Sequence, residues 1–298
     1  MTGPLLDPFV DNPFMARALA AGVLVALACA VAGTFVVLRG LAFVADALAH
    51  GVLPGIAIAV LVGIPAVVGA AAGTVVMMGG VSVITRRSRL SGDTAIGLLF
   101  AGMLALGVMI TSRSRTFFGD LTRIFTGEIL GVSPTDLLWQ LIALAVVCAV
   151  AWVCRRPFLL LSLDAELAAT SGFGVRRYEN LLLLVVAVAI LSSFQAVGTL
   201  LVFGMLVAPA STAALMSRRV GVMMLVAAAV GSLSVYAGLL LSYHADLAAG
   251  ASIVVVSVGV FLATLAVTEV RRSSTARHER DALPPHDHDH GGGHGHHH

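Results

Sequence analysis

Nine apolar runs divide this chain, each as long as a membrane crossing or close to it. They cover residues 16–38, 41–62, 66–85, 94–110, 137–153, 180–196, 198–216, 220–242 and 248–267. At about 1.5 Å of rise per residue, a helix of about 20 residues spans a hydrocarbon core of roughly 30 Å. Only Val197 separates the sixth run from the seventh, so eight crossings also fit. Lipid offers no partner for backbone N–H and C=O groups, so runs of this kind must pair them internally, as helices. The expected fold is therefore all-α, a polytopic membrane protein of about nine transmembrane helices. Composition agrees: 11% of the residues are charged, against about 25% in soluble domains. Residues 1–11 are acidic and carry no cationic n-region, so no cleavable signal peptide is expected.

The basic residues orient the crossings. With the N-terminus outside, Arg39, Arg86, Arg87, Arg89, Arg155, Arg156, Arg176, Arg177, Arg218, Arg219, Arg271, Arg272, Arg277 and Arg280 fall on the cytoplasmic side. Only Arg17, Arg113, Arg115 and Arg123 fall outside. That split obeys the positive-inside rule, and the opposite orientation inverts it. The C-terminus is then cytoplasmic. All 18 basic residues are arginine. A Walker A loop needs its lysine on the nucleotide phosphates, so the chain is no P-loop ATPase by itself. Trp139 and Trp152, near opposite ends of the fifth run, suit interfacial anchors.

Asp46-Ala-Leu-Ala-His50 lies within the second apolar run, where lipid solubility does not account for it. A carboxylate at such a depth costs about 2.5–3.5 kcal/mol to insert. The i, i+4 spacing puts both side chains on one helical face. Carboxylate beside imidazole is half of a metal site. It is equally the composition of a hydrogen-bonded pair that holds two helices together, and from the residues alone both readings stand.

Other features are weaker. Cys29, Cys148 and Cys154 lack ligand spacing and read as small core residues. Gln195 and Thr199 flank the junction of the sixth and seventh runs, where they either line a path or pack against a neighbour. His244 and Asp246 close the eighth run and, with Asp120, Glu128 and Asp136, form a candidate outer vestibule; simple solvation is the plainer account. The cytoplasmic loop 154–179 contains Asp164 and Glu166, which suit the start of a short helix, and Gly172 or Gly174, which suits its end. Beyond residue 272 a polar segment holds His286, His288, His290, His294 and His296 after Pro284-Pro285. That composition reads as a disordered cytoplasmic tail able to chelate metal. The expected organisation is a transmembrane domain over 1–272 and a tail over 273–298.

Several segments together resemble a known family. They are Gly33-Thr-Phe-Val-Val-Leu-Arg39-Gly40, Asp46-Ala-Leu-Ala-His50-Gly51-Val-Leu-Pro54-Gly55, Glu128-Ile-Leu-Gly131-Val-Ser133, the Asp164/Glu166/Gly172 loop, and Val197-Gly198-Thr199-Leu-Leu-Val-Phe-Gly204 through Pro209-Ala210. The chain resembles the permease subunits of manganese, zinc and iron ABC importers, the ABC-3 family, from about residue 13 to 272. The resemblance implies a permease fold like that of the vitamin B12 importer. It implies Asp46 and His50 on the metal path and a coupling helix at Asp164, Glu166, Ala168 and Gly172 that seats in an ATPase. It further implies a permease homodimer, a separate ATP-binding cassette subunit and an extracytoplasmic metal-binding protein in the bacterial inner membrane. Mn2+ or Zn2+ would be the cargo, with no resident cofactor, no catalysis by this chain and no nucleic-acid partner. One departure is Tyr243-His244-Ala-Asp246-Leu-Ala248, with alanine where proline is common. A proton-coupled cation carrier and a membrane metal sensor are the competing functions. A carrier of that kind would show several intramembrane carboxylates or two related halves, and the sequence shows one clear carboxylate and no repeat.

Overall fold

The computed structural model describes residues 7–88, 92–112, 129–163, 170 and 174–282, and among them there is no strand. The helices are α1 (Asp7–Asp11), α2 (Pro13–Leu38), α3 (Ala42–Gly51), α4 (Leu53–Val62), α5 (Ala66–Arg87) and α6 (Gly92–Thr111). After a 3-10 turn at Ile129–Gly131 come α7 (Pro134–Val153), α8 (Arg155–Leu163), α9 (Val175–Val197), α10 (Thr199–Met216), α11 (Val220–Ala245) and α12 (Ala249–Ala282).

Contacts between helices fix their relative directions. Cys29 of α2 approaches the Val202 carbonyl of α10, and Gly33 lies against Leu206, so these two helices run the same way. Gly22 meets Val235 while Gly231 meets Ala26, so α11 runs against α2; Gly238 on Ile253 reverses the direction again into α12. The ion pair from Arg39 to Glu179 joins the end of α2 to the start of α9, which makes them antiparallel. Gly69 on Gly55 and Gly73 on Gly51 set α5 against α3 and α4. His50 beside Phe100 and Gly107 beside Leu53 align α6 with α3 and α4. Along the described residues the passes thus alternate as α2, α3–α4, α5, α6, α7, α9, α10, α11 and α12. Since α9 and α10 are antiparallel, the sixth and seventh runs are separate passes among the described residues.

Turn chemistry accounts for the ends. Gly40 is left-handed at φ 65°. Its N–H bonds to Val37 O and that of Leu41 to Val36 O, the paired pattern that closes a helix on glycine. Gly63 (φ 79°) closes α4 in the same way, through Val60 O and Ala59 O. Ser133 and Asp136 form a reciprocal capping box that starts α7, with Pro134 in its first turn.

Three expectations need adjustment. The second apolar run is not one helix: α3 and α4 are separated at Val52. Pro54 has no N–H to continue the ladder and begins a new first turn instead. The loop expected over 154–179 is partly helical, holding α8 and the first turn of α9. The last helix continues to Ala282, past the boundary expected at 272.

Of the five long apolar helices, α2 is the most buried. It packs against α7, α9, α10 and α11. Its inner faces are small, with Ala18, Ala21, Ala26, Ala28 and Ala32 buried beside Gly22 and Gly33. In lipid, apolar side chains gain little by leaving one helix for another, so close backbone approach supplies the packing energy. The outer belt is apolar in turn: Val75, Leu98, Leu138, Leu225 and Leu262 are exposed, as a surface facing hydrocarbon should be. Arg39, Arg87, Arg155, Arg156, Arg176, Arg177, Arg218 and Arg219 lie at helix ends on the side of the bundle where α2 finishes.

Candidate metal site

Helix α3 carries the candidate site. It begins just after the Gly40 turn and lies against α5, α6, α9 and α10. Ala47 and Leu48 are buried in the bundle. Phe43, Asp46 and His50 follow at i, i+3 and i+7 on another face. Phe43 is 76% exposed, and the side chains of Asp46 and His50 are 30% and 24% exposed, so this stripe is open. His50 lies eight residues into a pass of 21 (Ala42 to Val62), or about 12 Å along its axis at 1.5 Å per residue. That places the pair well along the pass, away from either of its ends.

The two side chains meet. His50 Nδ1 stands 3.3 Å from Asp46 Oδ1 and 3.1 Å from the Asp46 carbonyl oxygen. An ionised carboxylate and a carbonyl only accept, so Nδ1 carries the proton in these bonds and the neutral ring has its lone pair on Nε2. A carboxylate that fixes the tautomer in this way is the usual support of a metal-binding imidazole. The ring is further held by Phe100 of α6, edge-to-face at 5.6 Å between centroids. Among the described residues no group of three or more His, Cys, Asp or Glu gathers that could hold an ion. The described residues of one chain therefore offer a carboxylate and an imidazole here, too few to strip the hydration of a divalent ion alone.

The other expected sites fare differently. Asp136 is engaged in capping α7, its Oδ2 accepting from the Ser133 N–H at 3.0 Å and from the Ser133 hydroxyl at 2.7 Å. His244 is exposed and its Nδ1 bonds to Leu240 O at 2.9 Å within its own helix. Asp246 is exposed and takes the left-handed position that ends α11 (φ 53°), the one non-glycine residue in that region among those described. These two mark the end of α11. Asp120, Glu128, Asp164, Glu166, Ala168, Gly172 and the histidines His286, His288, His290, His294 and His296 lie outside the described residues, as do the side chains of Gln195 and Thr199. Cys29 and Cys154 are buried as expected, whereas Cys148 is exposed and faces out of the bundle. Trp139 and Trp152 are exposed at the two ends of α7, and the Arg155 guanidinium lies over the Trp152 ring.

Two features escaped the sequence. Phe100 reaches His50 from another helix, and no spacing announces that. Arg39 and Glu179 pair across 140 positions at 2.8 Å. Their one sequence signal is that each is a charge at the edge of an apolar run.

Comparison with known proteins agrees with this architecture. The sequence profile of the ABC 3 transport family matches residues 11–268. The manganese transport system membrane protein MntC of Halalkalibacterium halodurans is 36% identical over 86% of this chain and 87% of its own length. A probable iron transport system membrane protein of Haemophilus influenzae is 35% identical over 90% of this chain and 98% of its own. Among solved structures, PsaBC from Streptococcus pneumoniae in complex with Fab superposes with a TM-score of 0.79 at 30% identity, covering 89% of this chain and 95% of that one. An inward-facing putative metal-chelate type ABC transporter shares the fold, with a TM-score of 0.67 at 14% identity over 91% of this chain and 90% of that one. With a family match over nearly its whole length and relatives 35% and 36% identical over most of it, the chain belongs to the ABC 3 transport family.

Proposed function

We propose that this chain is the membrane permease subunit of an ATP-driven bacterial importer for a divalent transition metal, with manganese as the cargo. The carrying observation is the Asp46–His50 pair, an oriented carboxylate and imidazole on an open stripe of a transmembrane helix. Such a donor set suits Mn2+, and it tolerates iron and zinc. The relatives named above concern manganese or iron. Zinc draws support only from the ligand chemistry.

The pair is half a site, and a second copy would supply the rest. Two chains related by a two-fold axis present the same stripe to each other, bringing two carboxylates and two imidazoles around one path. The permease hydrolyses nothing. A separate ATP-binding cassette subunit would dock at Asp164, Glu166, Ala168 and Gly172, and an extracytoplasmic metal-binding protein would deliver the ion at the opposite end. The arginine-rich end of the bundle is the cytoplasmic one, as the positive-inside rule requires. The histidines of the tail would buffer metal on that side without lining the path. Family membership removes the support for a proton-coupled carrier.

Uptake of radioactive manganese by cells expressing the complete transporter tests the reading. Asp46→Asn and His50→Ala should each abolish accumulation at unchanged membrane abundance. Competition by unlabelled iron and zinc ranks the cargoes. Normal accumulation by the double variant would return Asp46 and His50 to a purely structural role.

A further inference from the structure

The end of α2 holds both helices that flank residues 164–173. Phe35, one turn before the end of α2, meets Phe158 of α8 edge-to-face, with centroids 5.3 Å apart and planes at 72°. Both rings are buried. Arg39, at the C-cap of α2, donates from Nη2 to Glu179 Oε1 of α9 at 2.8 Å, and its side chain is only 15% exposed. Directly after Arg39 the chain turns through Gly40 in the left-handed region and enters α3. Asp46 is seven residues from Arg39.

We infer that the Arg39–Glu179 ion pair is a coupling latch, which passes movement of the α9 start to the Gly40 turn and from there to the metal pair on α3. The inference rests on the permease reading above. Arg39 and Glu179 are positioning residues, touching neither cargo nor nucleotide. The two contacts on α2 differ in kind. Phe35–Phe158 is a buried apolar edge-to-face contact with no charge, a pivot that survives small rotations. Arg39–Glu179 is a directional charge-assisted bond at the half-covered edge of the bundle, screened less than an exposed pair. It is either made or broken. Coupling between distant sites needs an element with two discrete arrangements whose balance both sites bias. A lever that swings about the aromatic pivot makes or breaks this bond, and Gly40 is where the backbone can absorb the change.

The test uses the assembled transporter in proteoliposomes, reading manganese moved per ATP hydrolysed, with assembly followed by size-exclusion chromatography. Arg39→Glu and Glu179→Arg should each keep assembly and ATP hydrolysis yet lower the metal-to-ATP ratio roughly tenfold, a loss within the ordinary range of coupling energies. The Arg39→Glu/Glu179→Arg exchange should restore most of the ratio, and Arg39→Lys should fall between. Single variants with the wild-type ratio would overturn the latch alone. Single variants that fail to assemble, with no rescue by the exchange, would reduce the pair to a structural tie and also overturn it. A wild-type complex that hydrolyses ATP but moves no metal would remove the permease reading, and the latch with it.

Discussion

Gly198 stands between α9 and α10 at φ 79° and ψ 165°. That region is essentially closed to residues with a Cβ. It explains the glycine of the Val197-Gly198-Thr199 segment in conformational terms: the chain must reverse within one residue between two antiparallel crossings. Gly198→Ala is expected to cost about 1–3 kcal/mol of backbone strain, read as a lower thermal midpoint in detergent. An unchanged midpoint would mean that the turn relaxes without penalty. At Asp46 the logic is electrostatic. Asp46→Asn keeps the shape and can still accept the Nδ1 proton, so folding should survive while the anionic donor is lost. A stability within about 1 kcal/mol of wild type by thermal melts, alongside abolished manganese uptake, would separate cargo binding from support of the fold. A large drop in midpoint would assign Asp46 to the fold instead.

At the scale of helices, backbone contact decides stability. A Cβ added to Gly33 would lie 2.1 Å from the Leu206 carbonyl oxygen, and one on Gly55 would lie 2.0 Å from that of Gly69. Neither obstacle is a flexible side chain. Gly33→Ala should therefore push α2 from α10 and cost about 1–3 kcal/mol, as overpacking does. Gly259→Ala meets nothing within 4 Å and should be neutral, or up to about 1 kcal/mol stabilising from helix propensity. Parallel thermal melts compare them, and equal losses at both positions would contradict the packing account. These elements also show what a sequence discloses. Runs of apolar residues announce helices in lipid because backbone pairing leaves few alternatives, so the crossings were readable with little error. The break at Val52 was harder, because Pro54 sits in an unbroken apolar run and hydropathy does not register a missing N–H. The Asp46–His50 contact was readable from i, i+4 spacing, since one helix supplies both partners. Phe100 and the Arg39–Glu179 pair were not, because their proximity is a property of the packed bundle. Asp136 is the opposite case: a carboxylate beside an apolar run looks available, but it forms the capping box with Ser133 three residues earlier.

For the molecule as a whole, the orientation proposed from the arginines puts the segment ahead of α2 outside and the end of α12 in the cytoplasm. A fluorescent protein that folds only in the cytoplasm should therefore light up when fused after Ala282 and stay dark when fused ahead of α2. The reverse pattern would invert the orientation argued from the arginines. The open stripe on α3 makes the stronger demand. Burying Phe43 at 76% exposure beside an ionisable pair needs a partner surface, and lipid would leave Asp46 facing hydrocarbon at about 2.5–3.5 kcal/mol. A second copy of the chain satisfies both requirements by placing the same stripe across a two-fold axis. Phe43→Cys, in a background with Cys148 replaced by serine, should cross-link to a dimer with a short bis-maleimide in native membranes. Leu225→Cys, which is 72% exposed on α11 outside that stripe, should remain a monomer under the same treatment. Cys29 and Cys154 are buried and should stay silent. If position 43 stays monomeric in a complex that still imports manganese, the two half-sites do not face each other, and the remaining metal donors must come from elsewhere.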